Sequence, residues 1–183
     1  MKAGGHEPRL RVIINGEGRE SALFQPDMQV SGVWDIDPGQ LREKGISGIL
    51  IDIDNTIASW GDYHIPEAVW EWLKEVRRQG LGICLLSNNY TSRARRFSAM
   101  LGAPVVYGWV KPWPWGYRRA MKLLGIGHEQ AVMIGDQLFT DILGAKRLGI
   151  YSILVKPMSH RELPHTRLKR VLERMVLGRG ERR

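Results

Sequence analysis

The sequence predicts an α/β fold, a doubly wound, Rossmann-like parallel sheet with helices on both faces. Two observations support this prediction. Short apolar runs alternate with longer segments of helical periodicity, which is typical of repeated βα units. A glycine also follows each of the first four helical segments, at the position that helix C-terminal caps prefer. These glycines are Gly80, Gly102, Gly125 and Gly149.

Five strands and five main helices are predicted. The strands are at residues 48–54, 81–87, 105–107, 131–135 and 151–155, and the helices at residues 66–79, 91–101, 115–124, 138–148 and 166–177. The first strand lacks clean alternation, as expected for a central parallel strand that is buried on both faces. A further short helix is predicted to begin after Asp37, with Pro38 at its first position, and to end at Gly45.

The composition is typical of one globular domain. Of the 183 residues, 43% are hydrophobic and 25% are charged, and a single cysteine, Cys84, excludes an intramolecular disulfide. No apolar stretch approaches the ~18 residues of a membrane span, and the first thirty residues lack the apolar segment of a signal peptide. We therefore expect a cytoplasmic protein. The net charge of +8 favours polyanionic partners: nucleic acid, an anionic membrane surface or a phosphorylated substrate.

The chain divides into three predicted parts. Residues 1–21 are polar, Gly-rich and weakly patterned, which indicates a loose N-terminal extension. Residues 22–177 contain the alternating pattern and form the predicted domain. Residues 178–183 are a basic tail.

The candidate active site begins at Asp52 and Asp54, which follow the apolar run of the first predicted strand. In open α/β sheets, ligands bind at the carboxyl ends of the strands. Two carboxylates at such a place favour a bound divalent cation, because unpaired buried charge is costly. Side chains at i and i+2 point to the same side of a strand, so one aspartate could attack a substrate while the other handles a proton. The alternative is that Asp54 only caps a turn with Asn55 and Thr56.

Further candidates follow the other predicted strands. Ser87 and Asn88 precede a helix whose free N–H groups could help them to hold phosphate oxygens, although such residues also cap helices in general. Lys111 follows the third strand and could offset substrate charge. After the fourth strand, Asp136 could ligate a metal and Asp141 could orient metal-bound water. The alternative is that both are acidic residues at a helix start.

The order of these motifs resembles the haloacid dehalogenase-like (HAD) hydrolase superfamily. The motifs are Asp-x-Asp-Asn-Thr at 52–56, Ser-Asn at 87–88, Lys-Pro at 111–112 and Gly-Asp-x4-Asp at 135–141. Residues 24–174 are still more similar to its subfamily IIIA, YqeG-type branch, which includes the mitochondrial phosphatidylglycerophosphate phosphatases. The similarity rests on four sequence segments: Ser-Asn-Asn at 87–89, Gly-Asp-Gln-Leu-Phe-Thr-Asp-Ile at 135–142, Arg-Leu-Gly at 147–149 and Ile-Leu-Val-Lys-Pro at 153–157.

The resemblance implies a Mg²⁺-dependent phosphatase and a role for each residue. Asp52 would be the nucleophile that accepts the phosphoryl group as an aspartyl-phosphate, and Asp54 would protonate the leaving oxygen and then activate water. Mg²⁺ would be held by Asp52, the backbone carbonyl of Asp54 and Asp136, with Asp141 in support. The residues that would bind the phosphoryl oxygens are Thr56, Ser87, Asn88 and Lys111.

The spacing between the motifs bears on the substrate. Only one helix and residues 59–65 separate the first motif from Ser87, which leaves no room for an inserted cap domain after the first strand. An open site suits a phosphate on a bulky carrier or at a surface, and a lipid headgroup phosphate fits that shape. The resemblance then implies phosphatidylglycerophosphate as the leading substrate. A soluble phosphorylated metabolite is the alternative. A basic adaptor for nucleic acid or ribosomes is an alternative of another class, and the intact acidic motifs argue against it.

Two basic or aromatic segments bear on a membrane partner. The predicted helix at 166–177 has one apolar and one basic face, which could contact an anionic phospholipid surface at the inner face of the cell membrane or could pack on the sheet. Trp113 and Trp115 lie next to Lys111 in the sequence. They could be interfacial anchors near the site or partly buried packing residues.

Overall fold

A computed structural model describes residues 23–89, 92–108 and 110–159, which form a six-stranded parallel sheet with helices on both faces. The strands are β1 (Met28–Val30), β2 (Gly48–Asp52), β3 (Gly82–Ser87), β4 (Val105–Tyr107), β5 (Ala131–Gly135) and β6 (Tyr151–Val155). The helices are α1 (Pro38–Glu43), α2 (Glu67–Arg78), α3 (Ser92–Leu101), α4 (Pro114–Leu124) and α5 (Leu143–Lys146). The predicted fold class is confirmed.

The predicted N-terminal extension, the helix at 166–177 and the basic tail lie outside the described residues. All four predicted C-cap glycines have positive φ, between 55° and 73°, which glycine adopts at little cost. No helix in the described part of the chain is long and apolar enough to cross a membrane.

The strand order is β1-β6-β5-β2-β3-β4. The chain builds the sheet from β2 through β3 to β4, then returns to the other side of β2 and continues with β5 and β6. The order therefore reverses between β2 and β5. In open α/β sheets the carboxyl ends of the strands at such a reversal form the ligand-binding crevice, and here Asp52 is the last residue of β2.

β2 separates two hydrophobic cores, which explains its apolar run without alternation. Ile49 and Ile51 belong to the core under α2 and α3, whereas Leu50 belongs to the core under α4 and α5. All three side chains are fully buried. Each such side chain contributes about 1.5–3 kcal/mol of hydrophobic stabilisation relative to an exposed one. The central strand is therefore a rigid support for the aspartate at its end.

β2 ends at Asp52, two residues earlier than predicted. The chain turns here because the carbonyl of Ile53 accepts hydrogen bonds from the N–H groups of the following turn. Asn55 adopts φ +62°, a left-handed conformation that asparagine tolerates better than most residues. This turn separates Asp54 from the strand and gives the two aspartates different surroundings.

The helix predicted at 138–148 is also different in the structure. A π-helical segment, Leu138–Ile142, precedes the short helix α5. The hydroxyl of the fully buried Tyr117 approaches the carbonyls of Thr140 at 2.7 Å and of Asp141 at 3.2 Å. It occupies space that a side chain at Gly144 would fill. A polar group that inserts in this way can widen a helical turn.

Strand β1 is absent from the predicted elements, because its sequence Met-Gln-Val is not the continuous apolar run that predicted the equally short β4. It lies at the edge of the sheet, parallel to β6. The carboxylate of Asp27, just before β1, accepts hydrogen bonds from the Ser152 N–H and hydroxyl at 2.8 and 2.9 Å and pairs with Lys146 at 2.6 Å. Long-range polar contacts therefore hold this strand in place.

Candidate active site

Three carboxylates converge at the carboxyl ends of β2 and β5. Oxygen atoms of Asp52, Asp136 and Asp141 all lie within 4.8 Å of one another. Asp52 ends β2, Asp136 directly follows β5, and Asp141 comes from the π-helical segment. The sequence placed Asp52 and Asp136 after predicted parallel strands, and the resemblance to HAD hydrolases implied that they act with Asp141 at one site. The structure brings the three carboxylates together.

The position of Asp141 depends on the backbone around Gly135. The Gln137 N–H donates to Oδ2 of Asp141 at 3.0 Å. A Cβ atom at Gly135 would overlap this carboxylate, so only glycine leaves the space that Asp141 occupies. The Gly-Asp-x4-Asp spacing therefore has a local cause, since the wide π-helical turn returns Asp141 to the end of β5.

Lys111 is the cation of this cluster. Its buried ammonium group contacts Asp52 and lies 2.8 Å from Oδ1 of Asp141. The amide side chain of Asn88 fixes the lysine backbone from both sides: its Nδ2 donates to the Lys111 carbonyl at 2.9 Å, and its Oδ1 accepts from the Lys111 N–H at 2.8 Å. Asn88 thus positions Lys111, a contact that the sequence did not predict.

The charges in the cluster shift one another's pKa. Burial raises the pKa of Asp52 to about 7, and the charges of Asp141 and Asp54 add to the rise although Lys111 opposes it. Burial and the charges of Asp52 and Asp141 raise the pKa of Asp136 to about 8. Burial alone would lower the pKa of Lys111, but the two carboxylates that it contacts hold that pKa above its ordinary value. The cluster has more negative than positive charge.

This excess fits a divalent cation. Oδ2 of Asp52 and Oδ1 of Asp136 are buried and have no hydrogen-bond partner among the described residues. A buried carboxylate oxygen without a partner is costly, and carboxylate oxygens are the ligands that hard cations prefer. Asp52, Asp136 and Asp141 are therefore the residues that could hold a metal.

Asp54 has different partners. Its Oδ1 pairs with Nε of Arg93 at 2.8 Å, and its Oδ2 accepts from Nδ2 of Asn89 at 3.0 Å. Arg93 also donates to the carbonyls of Ser59, at 3.0 Å, and Asp62. These two carbonyls belong to the flap loop, residues 59–65 between β2 and α2. One arginine therefore joins the second aspartate of the motif to the loop beside the site.

Arg93 and Asn89 are not among the site residues predicted from the sequence. A signal was present for Arg93, because it shares the buried face of α3 with Ala94, Phe97 and Leu101. Its guanidinium carbon lies 4.8 Å from the centre of the Phe97 ring. A cation on the apolar face of an amphipathic helix needs a partner, since unpaired buried charge is costly.

The other predicted phosphate-binding residues lie around the same edge. Thr56 is buried in the turn after Asp54, and its hydroxyl has no hydrogen-bond partner among the described residues. Ser87 ends β3, and its hydroxyl accepts from the Asn89 N–H at 3.2 Å. The side chain of Asn88 hydrogen-bonds to the backbone of Lys111. Phosphate binding by Thr56, Ser87, Asn88 and Lys111, and metal binding by the Asp54 carbonyl, stay predictions.

Comparison with known families identifies the chain. A model of the haloacid dehalogenase-like hydrolases matches residues 33–149, which include every residue of the cluster. The chain belongs to the haloacid dehalogenase-like hydrolases. It is 36% identical over 161 residues to the probable phosphatase YqeG of Bacillus subtilis, covering 88% of this chain and 94% of the relative. The predicted family and its YqeG-type branch are confirmed, and the protein is a phosphatase acting on phosphoric monoesters.

Two further similarities are more distant. The chain is 29% identical over 179 residues to phosphatidylglycerophosphate phosphatase 1 of Arabidopsis thaliana, covering 90% of this chain but only 50% of that protein. A crystal structure of an uncharacterised protein from Listeria monocytogenes superposes with a TM-score of 0.52 at 20% identity, covering 65% of this chain and 85% of that one. The latter supports the fold.

Proposed function

We propose that this HAD phosphatase depends on Mg²⁺, forms an aspartyl-phosphate on Asp52 and hydrolyses phosphatidylglycerophosphate to phosphatidylglycerol. One observation carries the chemistry. Three carboxylates and Lys111 converge at the sheet reversal, and two of the buried carboxylate oxygens have no hydrogen-bond partner in the described part of the chain. Such a site offers both a nucleophile and the charge to hold a cation.

The proposed reaction proceeds in two displacements. A carboxylate oxygen of Asp52 attacks phosphorus, the bond to the leaving oxygen breaks, and Asp54 gives that oxygen a proton. In the second step Asp54 takes a proton from water, which attacks phosphorus and releases Asp52 and inorganic phosphate. Each displacement has a lower barrier than direct hydrolysis, which is the advantage of covalent catalysis. Lys111 contributes positive charge beside the transferred group.

The metal would lie against Asp52, Asp136 and Asp141, whose oxygens are close enough to share one ion. When bound, it would neutralise charge on the phosphoryl oxygens and allow the anionic Asp52 to approach them. Thr56 follows β2 and Ser87 ends β3. Both are proposed to bind phosphoryl oxygens, with Asn88 acting through Lys111.

Two features support a lipid substrate. The site has no covering domain in the described part of the chain, since β2 and β3 are joined only by the flap loop and α2. The similarity to the Arabidopsis phosphatidylglycerophosphate phosphatase extends over 90% of this chain. This activity would be located in the cytoplasm, with peripheral contact at the inner face of the cell membrane.

A phosphate-release screen tests the substrate. We expect phosphatidylglycerophosphate in neutral mixed micelles to be hydrolysed with a kcat/KM at least tenfold above that of any soluble phosphate ester in the panel. The Asp52→Asn variant, purified in parallel, measures contaminating phosphatase. Preference for a soluble ester would reject the lipid substrate and favour a soluble metabolite, whereas release from no ester would reject the site chemistry.

A further inference from the structure

One end of the sheet is strongly basic. Residues 81–127, from β3 to the end of α4, contain seven Lys or Arg residues and no Asp or Glu. The whole chain has a net charge of +8. A stretch of this length without any acidic residue is unusual when a quarter of the chain is charged. Residues 23–80 and 128–159 contain eight Lys or Arg residues and thirteen Asp or Glu residues, so the positive charge of the described part of the chain is concentrated around the edge strand β4.

The exposed cations of this region lie near the active-site edge. Helices α3 and α4 each follow a parallel strand, so both begin at the carboxyl edge of the sheet. Arg95 and Arg96 lie within the first five residues of α3, and Arg118 and Arg119 within the first six residues of α4. At a rise of about 1.5 Å per residue, all four are within about 8 Å of a helix start along its axis.

The two helices pack on opposite faces of the sheet, α3 on the core that contains Ile49 and α4 on the core that contains Leu50. Their cations therefore flank β4 on both sides. Positive charge also comes from the N-termini of both helix dipoles, which point to the same edge. This edge presents a basic surface that continues around the end of the sheet.

These cations have no acidic partner among the described residues. Arg118 and Arg119 are exposed and form no ion pair there. Arg95 donates to the Tyr107 hydroxyl at 2.9 and 3.1 Å, and Arg96 lies 4.3 Å from the centre of the Tyr63 ring. Both guanidinium groups are therefore held by aromatic side chains and keep their net charge.

Outside this region, several cations of the described chain are paired with acidic residues. Lys74 contacts Glu71 at 2.7 Å on α2, and Lys146 contacts Asp27 at 2.6 Å beside β6. The surface around β4 therefore carries charge of one sign, whereas these other parts of the described surface carry charges of both signs. A surface of one sign attracts a partner of the opposite sign.

Three exposed tryptophans lie at the same edge. Trp113 caps the N-terminus of α4, two residues after Lys111, and Trp115 lies in its first turn. Trp60 belongs to the flap loop. Their exposed fractions are 45%, 49% and 43%. Exposed tryptophan is costly in water, but its amphipathic ring is stabilised at the headgroup level of a bilayer.

We propose that this region docks the enzyme on an anionic lipid bilayer, with the site mouth facing the headgroups. The docking surface consists of Trp60, Arg95, Arg96, Trp113, Trp115, Arg118 and Arg119. The choice of partner rests on the proposed lipid substrate. A bilayer fits because it is broad and planar, so it can contact cations from both faces of the sheet and the tryptophans at the edge together. RNA also binds basic and aromatic surfaces, but it would cover the mouth of a phosphatase site.

Vesicle co-sedimentation of the full chain tests the docking surface without any substrate. Wild type should bind vesicles of phosphatidylcholine and phosphatidylglycerol, bind pure phosphatidylcholine vesicles poorly, and dissociate at 0.5 M salt, where charge is screened to a few ångströms (about 3 Å at 1 M). Arg118→Glu with Arg119→Glu should weaken binding on the order of tenfold or more, because each basic residue near the surface contributes about 1 kcal/mol. Hydrolysis of a soluble phosphate ester should stay unchanged.

The matched control reverses the charge of two exposed cations near the amino ends of the strands, on the side of the sheet away from the active site. Arg42 and Lys44 lie at the end of α1, before β2 begins. Arg42→Glu with Lys44→Glu changes the net charge equally and should bind vesicles at least fivefold better than the α4 variant. A second variant, Trp113→Ala with Trp115→Ala, keeps the charge and should also lose binding.

Two results would overturn the docking surface. Binding that survives both α4 variants would assign membrane contact to another part of the chain. Binding of a short single-stranded RNA with no binding to anionic vesicles would assign the surface to nucleic acid. Neither result depends on phosphatidylglycerophosphate hydrolysis, which is measured in neutral micelles, so the docking surface and the proposed substrate can fail separately.

Discussion

The two aspartates of the first motif are two residues apart, yet their surroundings differ in charge and in hydrogen-bond partners. Asp52 ends a rigid central strand beside Asp136 and Asp141, and burial raises its pKa to about 7. Asp54 lies beyond a turn, where Arg93 and Asn89 bind both of its carboxylate oxygens. The first environment resembles a cation site and the second an anchored acid. The surroundings, rather than the spacing, divide the roles.

A third aspartate shows what a structural carboxylate looks like in the same fold. Burial alone would raise the pKa of Asp27, but hydrogen bonds from Lys146 and Ser152 lower it below its ordinary value. Asp27 is thus stabilised as an anion by its own neighbours. Asp52 and Asp136 have raised pKa values instead, which indicates that their neighbours do not complete the environment that an anion needs.

Asp52→Asn should have the largest effect. An amide is a poor nucleophile and a weak metal ligand, so phosphate release should fall to background while the thermal unfolding profile still shows a cooperative fold. The matched control is Asp37→Asn, in the chain's other Asp-x-Asp sequence, Asp35-Ile36-Asp37. Asp37 is exposed and only caps α1, a position that asparagine fills equally well. Turnover near wild type in Asp52→Asn would remove the basis for its role.

Metal removal tests the first environment, the cluster of Asp52, Asp136 and Asp141. Activity should vanish in EDTA and return with Mg²⁺, whereas Ca²⁺ should restore little because it prefers more ligands and longer bonds. Asp136→Asn should raise the Mg²⁺ concentration needed for half-maximal activity at least tenfold. Full activity in chelator would contradict a cation site at these carboxylates.

Asp54→Asn tests the second environment, in which Arg93 and Asn89 bind the Asp54 carboxylate. Loss of general acid and base catalysis should lower kcat by about 10² to 10⁴. The Mg²⁺ concentration for half-maximal activity should change little, because the Asp54 side chain contacts Arg93 rather than the cluster. If Asp54→Asn and Asp136→Asn alter the Mg²⁺ requirement equally, the division between the two regions is wrong.

Arg93→Lys should also lower kcat, but by less than Asp54→Asn does. Lysine keeps the charge but cannot reach Asp54 and both flap-loop carbonyls at once. We expect kcat to fall by roughly tenfold, as a misplaced catalytic group costs up to about 10², with an unchanged Mg²⁺ requirement. The contradicting result is a fall in kcat that accompanies a fall in thermal stability, while hydrogen exchange in the flap loop stays unchanged. Arg93 would then be a structural residue only.

Asp27→Asn should have the smallest effect and should act on stability alone. Because the pKa of Asp27 is lowered in the folded state, its stabilisation is present above its unfolded pKa of about 3.9 and is lost as pH falls through the folded value. At pH 6 the variant should be less stable than wild type by about 1 kcal/mol or less. Denaturant titrations should show this difference shrinking as pH is lowered below 4, with activity at pH 7 unchanged.

Sequence patterns predicted the parts of this protein that depend on local order. Apolar runs located β2, β3, β4, β5 and β6, and parallel strand ends brought Asp52, Asp136 and Asp141 to one edge. The missed features depend on contacts between residues far apart in the chain. Arg93 meets Asp54 across 39 positions, and strand β1 is held by contacts to Ser152. Periodicity carries no information about such pairs.

The π-helical turn was missed for a related reason. The sequence 138–148 has ordinary helical periodicity, but the inserted hydroxyl of Tyr117 comes from α4. Asn88 illustrates the same limit at the level of function. Its place after β3 predicted a contact with phosphate, whereas its partner in the structure is the backbone of Lys111, 23 positions away.

The most direct test of the division between Asp52 and Asp54 is to trap the phosphorylated enzyme. Asp54→Asn should form the aspartyl-phosphate slowly and hydrolyse it still more slowly, so acid quenching during turnover of phosphatidylglycerophosphate should capture it. Peptide mass spectrometry should then find one phosphoryl group on Asp52 and none in the quenched Asp52→Asn variant. Phosphate on another residue, or full turnover with no phosphorylated enzyme at any time, would contradict the account.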